Sequence, residues 1–237
     1  MTEKERLEHG AIRDYYDRVY HHDAGVEAKI SHHLRRLAWQ FQPLQGKRLL
    51  DVGCGSGTWM RAAADLGAVP TGVDISQVAL DACQRALPSA ELHCGSAESL
   101  PFTEGEFDFV SCLGALEHFL EPQAALREMI RVAKPGALFL LLVPNAGFLT
   151  RRLGFYSGTQ QAAVREEVRS LQGWQELFES VGLRVCRRWR DLHVLSPSWI
   201  FRGAWYGWPL RAGQLLALLF WPLSCQYIVY HHCMLAR

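Results

Sequence analysis

The 237-residue chain lacks most of the pairings from which chemistry is quickly read. Its seven cysteines, at 54, 83, 94, 112, 186, 225 and 233, form no CxxC pair and no zinc-ligand spacing. An odd number of thiols scattered into apolar runs excludes a disulfide framework and reads as reduced, mostly buried side chains. Neither sign of charge is in excess: the formal net charge is +1, without the basic bias that nucleic-acid binding calls for. The opening "MTEKERLEHG" lacks the apolar core of a signal peptide, so a cytoplasmic protein is expected. Histidines stand in adjacent pairs at 21–22, 32–33 and 231–232. Neighbours in sequence point to different sides of a helix or strand, so one such pair does not chelate one ion, and no metal is expected. There is no internal repeat and no low-complexity segment.

What is present is an ordinary globular balance, 49% apolar and 21% charged, enough for one domain with a real core. Aromatic and leucine residues at helical intervals from 11 to 42 predict two helices. Beyond them short apolar runs alternate with helical stretches. "KRLLDV", "VPTGVDI", "AELHC", "EFDFVSCL" and "ALFLLLVP" read as strands, and "TWMRAAADLG", "SQVALDACQRAL" and "EPQAALREMIRVA" as helices. Ser76 is placed to cap one of these helices and Gly67 to close another. "SLQGWQELFESVGLRVCRRW" adds a helix and a strand, and "CQYIVYHHCML" a last strand. Alternation of this kind builds βαβ units around a parallel sheet, and strands without polar alternation fit a sheet covered on both faces.

"RLLDVGCGSGTW" sets Gly53, Gly55 and Gly57 at alternate positions just after a strand. Bare backbone there serves either a tight strand-to-helix turn or close approach of a nucleotide-type cofactor. In a doubly wound sheet this loop opens into the ligand cleft. The dinucleotide fingerprint is GxGxxG with an acid about 20 residues on. Here the spacing is GxGxG, Asp51 precedes it, and Asp74 ends the next strand. An acid for ribose is common to both patterns, and the glycine spacing separates them.

In order along the chain, "LLDVGCGSG", "GVDIS", "GSAESLPF", "FDFVSCLGALEHF" and "REMIRVAKPGALFLLLVPN" resemble the class I S-adenosylmethionine-dependent methyltransferases. The likeness is to the broad small-molecule group that includes quinone-biosynthesis enzymes. It is dense from about Lys47 to Asn145, looser to Arg184 and poor from Ser196 to Ser224. It implies a Rossmann-like, doubly wound, seven-stranded sheet, mostly parallel with an antiparallel last strand. It implies S-adenosylmethionine as cofactor and a methyltransferase acting on a small molecule. Around the cofactor it places Asp51, Gly53, Cys54, Gly55, Gly57, Asp74, Ile75, Ser96, Ala97, Glu98 and Leu113. Asp51 and the glycine amides would face the methionine end, Asp74 the ribose hydroxyls and Ile75 the adenine. Where the family usually has an aspartate facing the adenine amine, this chain has Ser96, an uncharged acceptor. The remaining readings are a protein that binds the cofactor without transferring from it, and a dinucleotide-dependent oxidoreductase.

His118, in "ALEHF", stands near the expected chemistry, either as a general base toward a hydroxyl acceptor or as a structural residue. "SCLGA" replaces the Asn/Asp-Pro-Pro-aromatic run of exocyclic-amine methyltransferases, and Cys112 follows a serine rather than the proline of pyrimidine carbon-5 enzymes. Oxygen or carbon is therefore the expected acceptor atom, and nucleic acid is not an expected partner. Tyr15, Tyr16 and Tyr20 match the family's N-terminal helix over the cofactor, or simply pack on the sheet.

Residues 196–230 hold four of the eight tryptophans, and Ala212 to Tyr230 carries no charged side chain. Three uses stay open: core filler, a hydrophobic lid or interfacial helix over a lipid-like substrate, and a dimer contact. Trp199 and Trp205 are its candidate lid residues, and peripheral membrane contact through 199–223 belongs to the second use. The expected division is a helical cap over 1–45, a cofactor-binding core over 46–193, an aromatic-rich insertion or lid over 194–224 and the last core strand over 225–237.

Overall fold

A computed structural model describes residues 9–10, 12–20, 30–148, 167–191, 201 and 205–236. Seven strands form one sheet: β1 (Arg48–Val52), β2 (Val69–Asp74), β3 (Glu91–Cys94), β4 (Phe107–Leu113), β5 (Ala133–Pro144), β6 (Leu183–Arg190) and β7 (Ile228–Leu235). Their order is β3-β2-β1-β4-β5-β7-β6. The pairs β1/β2, β1/β4, β2/β3 and β4/β5 are parallel, whereas β7 runs antiparallel to both β5 and β6. The expected doubly wound architecture is present, including the antiparallel last strand. That strand begins at Ile228 rather than Cys225, because Leu223–Cys225 form a short 3-10 turn behind Pro222.

Six helices are described: α1 (His32–Trp39), α2 (Thr58–Ala64), α3 (Gln77–Ala86), α4 (Pro122–Val132), α5 (Leu171–Ser180) and α6 (Trp208–Phe220). Their starts follow local chemistry. Ser31, Ser76 and Ser170 each accept an amide of the first turn with the side-chain oxygen, and Pro122 opens α4 where its missing N–H costs nothing. Gly57 precedes α2 at φ +74°, a left-handed conformation that Cβ-bearing residues avoid.

The sheet has a core on each face. Leu126, Met129, Trp174 and Phe178 pack from α4 and α5 on one side. Leu37, Trp59, Met60 and Leu80 pack from α1, α2 and α3 on the other. Trp174 is fully buried and donates its indole N–H to Pro144 O at 2.7 Å, fastening α5 to the end of β5. Burial on both faces explains the unbroken apolar run of β5. Four cysteines, 54, 83, 112 and 233, are buried free thiols, whereas Cys94 and Cys186 are exposed.

Among the described residues, α6 is the least covered helix. Trp205, Tyr206 and Phe220 are 73%, 75% and 83% exposed around it, which removes Trp205 from the core-filler reading. No helix among the described residues is long and apolar enough to cross a membrane. Trp199 and the pair His21–His22 lie outside the described residues.

Candidate active site

The strand order reverses between β1 and β4, and a cleft opens there beyond the carboxyl ends of the strands. A cavity of about 330 Å³ fills it. Gly53, Cys54 and Gly55 line it from the exit of β1, Asp74 and Ile75 from β2, Ser96, Ala97 and Glu98 from β3, and Leu113 and His118 from β4. His9, Ile12 and Tyr16 close it from the N-terminal segment. Asp51, Gly57 and Tyr15 are not in its wall; Tyr15 sits edge-on to Tyr16 with ring centres 5.7 Å apart. Tyr20 ends the π-helical turn Tyr16–Tyr20, and its side chain lies outside the described residues.

The glycine loop is packed behind and open in front. All three glycines have positive φ, +74°, +53° and +74°. A Cβ on Gly53 would stand 2.4 Å from the Ala115 Cβ, and one on Gly57 would stand 2.3 Å from the Cys83 sulfur. One on Gly55 would meet nothing within 4 Å. Gly55 therefore keeps space clear on the cavity side, and its neighbours are glycine for close packing. The loop amides are spent inside the protein. Gly53 and Cys54 donate to Val73 O at 2.8 and 3.1 Å, Gly57 to Cys54 O at 3.0 Å, and Gly55 to Asp74 Oδ2 at 2.8 Å. With these four amides engaged within the protein, the loop offers a ligand room and bare backbone.

Asp74 holds the turn together. One carboxylate oxygen takes the Gly55 amide and the other the Ser76 amide at 2.9 Å. The same carboxylate lines the cavity. Ser76, from the same turn, donates to Asp17 Oδ1 at 2.5 Å, and the Val78 amide approaches that oxygen at 3.4 Å. This latches the N-terminal segment to the start of α3.

Asp51 lies beneath the loop, behind the cavity wall. Register sets it beside Ser111 of β4, whose hydroxyl donates to Asp51 Oδ1 at 2.7 Å while receiving the Trp59 indole N–H at 2.9 Å. The carboxyl is 3% exposed, beneath the loop. Burial pushes its pKa up to about 7, the Ser111 hydrogen bond opposes the rise, and the nearby Asp74 charge adds to it. Ser96 bonds the Glu98 carboxylate, which also approaches His9 Nε2 at 3.4 Å and the Glu121 amide at 3.3 Å. Glu98 therefore ties the β3 loop to the N-terminal segment. His118 ends a 3-10 turn (Leu116–His118) just past β4, its ring edge-on to Tyr16 at 6.3 Å. Reading the sequence missed His9, Ile12, Gly95 and Ala115, all small or unremarkable residues that only the fold brings to this cleft. Among the described residues, no group of three or more metal-ligating side chains is assembled.

The sequence profile of a family described as a methyltransferase domain matches residues 50–141, the stretch that supplies β1 to β5 and most of this cavity. The chain carries a methyltransferase domain. In sequence it is 37% identical over 123 residues to the ubiquinone biosynthesis O-methyltransferase of Thiobacillus denitrificans, a match covering 48% of this chain and 53% of that protein. It is 30% identical over 167 residues to the uncharacterised methyltransferase YcgJ of Bacillus subtilis, covering 66% of this chain and 65% of that one. The chain spans about half the length of the quinone-pathway relatives it matches. A solved complex of the Haloferax volcanii Trm112 methyltransferase activator with a methyltransferase contains a chain of the same fold. Its TM-score is 0.71 at 21% identity, covering 95% of this chain and 98% of that one. The methyltransferase domain thus has the Rossmann-like fold of its relatives, and its cavity lies where such folds bind ligands.

Proposed function

We propose that this methyltransferase domain moves a methyl group from S-adenosylmethionine to oxygen or carbon of a small, apolar or lipid-linked molecule. The observation that carries the reading is Asp74, held at the end of β2 by the Gly55 and Ser76 amides in the wall of the cavity. The fit of the cofactor rests on three features of that cavity. A Cβ at Gly55 or at Gly95 would enter open space, so backbone lines the wall where a ligand must approach. Asp74 is a carboxylate placed for two ribose hydroxyls. Ile75 and Ala97 give the apolar walls a purine needs.

Bound there, the cofactor supplies a methyl group on a positively charged sulfur. The chain has to orient an acceptor in line with it, exclude water and take up a proton where the acceptor is a hydroxyl. Ile12, Tyr16 and Phe119 surround the cavity with apolar surface that keeps water out. His118, in the wall just past β4, receives the acceptor's proton. The uncovered aromatic side chains around α6 supply the apolar surface for a lipid-linked acceptor or a peripheral membrane contact. The relative from Thiobacillus denitrificans, an O-methyltransferase of ubiquinone biosynthesis, supports an oxygen acceptor.

Isothermal titration with S-adenosylhomocysteine tests the cofactor site. Wild type should bind, and Asp74→Ala should bind at least tenfold more weakly, since hydrogen bonds to a charged group contribute about 1.5–3 kcal/mol. Equal affinity in the two proteins overturns the assignment. Incubating extract with the deuterated-methyl cofactor and following mass gain tests the transfer, and no labelled product removes it.

A further inference from the structure

A second cavity, of about 560 Å³, lies between α1 and the outer half of β6 and shares no lining residue with the first. Arg36 enters it from α1 and Arg187, Arg188 and Arg190 from β6, with His32 and His33 beside them. Among the described residues that line it there is no carboxylate. Asp191, next in the chain, is bonded to His33 at 2.9 Å. Arg187 lies over the Trp189 ring at 5.3 Å and Arg190 donates to the Leu219 carbonyl. Arg188 donates to Gln175 Oε1 of α5 at 2.5 Å, which turns its guanidinium to the opposite face of the sheet. Leu219 and Leu223, from the end of α6 and the turn after it, form an apolar rim.

Like charges gathered this closely repel unless an anion sits among them, and planar guanidinium donors match phosphate oxygens in pairs. The groove also lies at the same end of the sheet as the cofactor cavity. Register runs from Leu113 through Leu142 and Tyr230 to Trp189. Three inter-strand spacings of ~4.8 Å put them about 14 Å apart in the plane of the sheet.

We propose that this groove binds a phosphate-bearing amphiphile, the anionic head between Arg36 and Arg187 and the apolar part against Leu219 and Leu223. The head belongs either to a soluble phosphate ester or to a phospholipid, and binding there does not depend on methyl transfer. The test uses the full chain and the double variant Arg36→Gln/Arg187→Gln, both exposed positions. Hexyl phosphate is titrated calorimetrically, and vesicles of phosphatidylglycerol or of phosphatidylcholine are sedimented with the protein. Wild type should bind at least one phosphate probe, and the double variant at least tenfold more weakly, with S-adenosylhomocysteine affinity unchanged. Binding of hexyl phosphate without the vesicles assigns a soluble ester; selective binding of phosphatidylglycerol vesicles assigns a lipid head. If the double variant does not fold, Arg36→Gln alone gives the same comparison. No binding of either phosphate probe, or equal binding by wild type and variant, overturns the site.

Discussion

Replacing Asp51 by asparagine isolates a buried acid without changing its shape. The Ser111 hydroxyl keeps its acceptor, because an amide oxygen stands where Oδ1 stood. What disappears is the titration. The folded carboxyl sits at about 7 against 3.8 when free, so it is protonated in the folded protein at mildly acidic pH. A raised folded value means that its contribution to stability is complete below pH 3.8 and drains away as pH rises through about 7. At 1.36 kcal/mol per pH unit, the span from pH 5 to 8 should cost wild type roughly 2–3 kcal/mol relative to Asp51→Asn. Urea unfolding of both proteins at pH 5, 6, 7 and 8 reads this directly, since every other titrating group cancels in the difference. A difference that stays flat across that range refutes the burial argument. The same pair decides whether Asp51 serves the cofactor. An ammonium against the carboxylate draws its pKa back down, so wild-type affinity for S-adenosylhomocysteine should tighten from pH 5.5 to 7 while the variant's stays level. Parallel behaviour leaves Asp51 as a structural acid beneath the loop.

Four further outcomes follow from the geometry already described. Gly57→Ala combines a left-handed φ with a Cβ 2.3 Å from the Cys83 sulfur and should lower unfolding free energy by about 2–5 kcal/mol. Gly55→Ala, strained at φ +53° but in open space, should cost only about 1–2 kcal/mol yet abolish S-adenosylhomocysteine binding; a reversed ranking in urea unfolding and calorimetry would count against the loop's description. His118→Gln should reduce turnover at least a hundredfold with cofactor affinity preserved if the imidazole takes the acceptor's proton, and turnover near wild type assigns it to structure. Asp17→Ala removes the latch on Ser76 and Val78 and should speed S-adenosylhomocysteine release in stopped-flow by about threefold or more, a shift of some 0.65 kcal/mol; an unchanged rate denies the latch a role.

Local signals carried the frame. Ser76 capping α3, the glycines after β1 and the continuous apolar strands depend on neighbours within a few residues, and each predicted element is present. The floor of the site was harder to read. Asp51 was expected in the cavity wall because the family pattern places an acid before the glycines. Its actual partner, Ser111, is 60 positions away and is chosen by the register of two strands. Glu98 and His9 meet across 89 positions, a pairing no periodicity announces. Nothing in the local pattern of β6 assigns its arginines a site. Only the packing of α1 beside that strand turns "CRRWR" and "HHLRR" into one cluster, although a run of four arginines between 184 and 190 without an acid was a visible hint.

Among the described residues, those lining the cavity proposed for the cofactor fall between His9 and Leu120. The described residues of the second half of the polypeptide add β5, both antiparallel partners and the uncovered aromatic helix, and none of them lines that wall. Insertions or wholesale replacement between β6 and β7 can thus recast what approaches the sulfur without disturbing the grip on the donor. The architecture separates a donor socket from an attachment, and new acceptors can be fitted by rebuilding the latter alone.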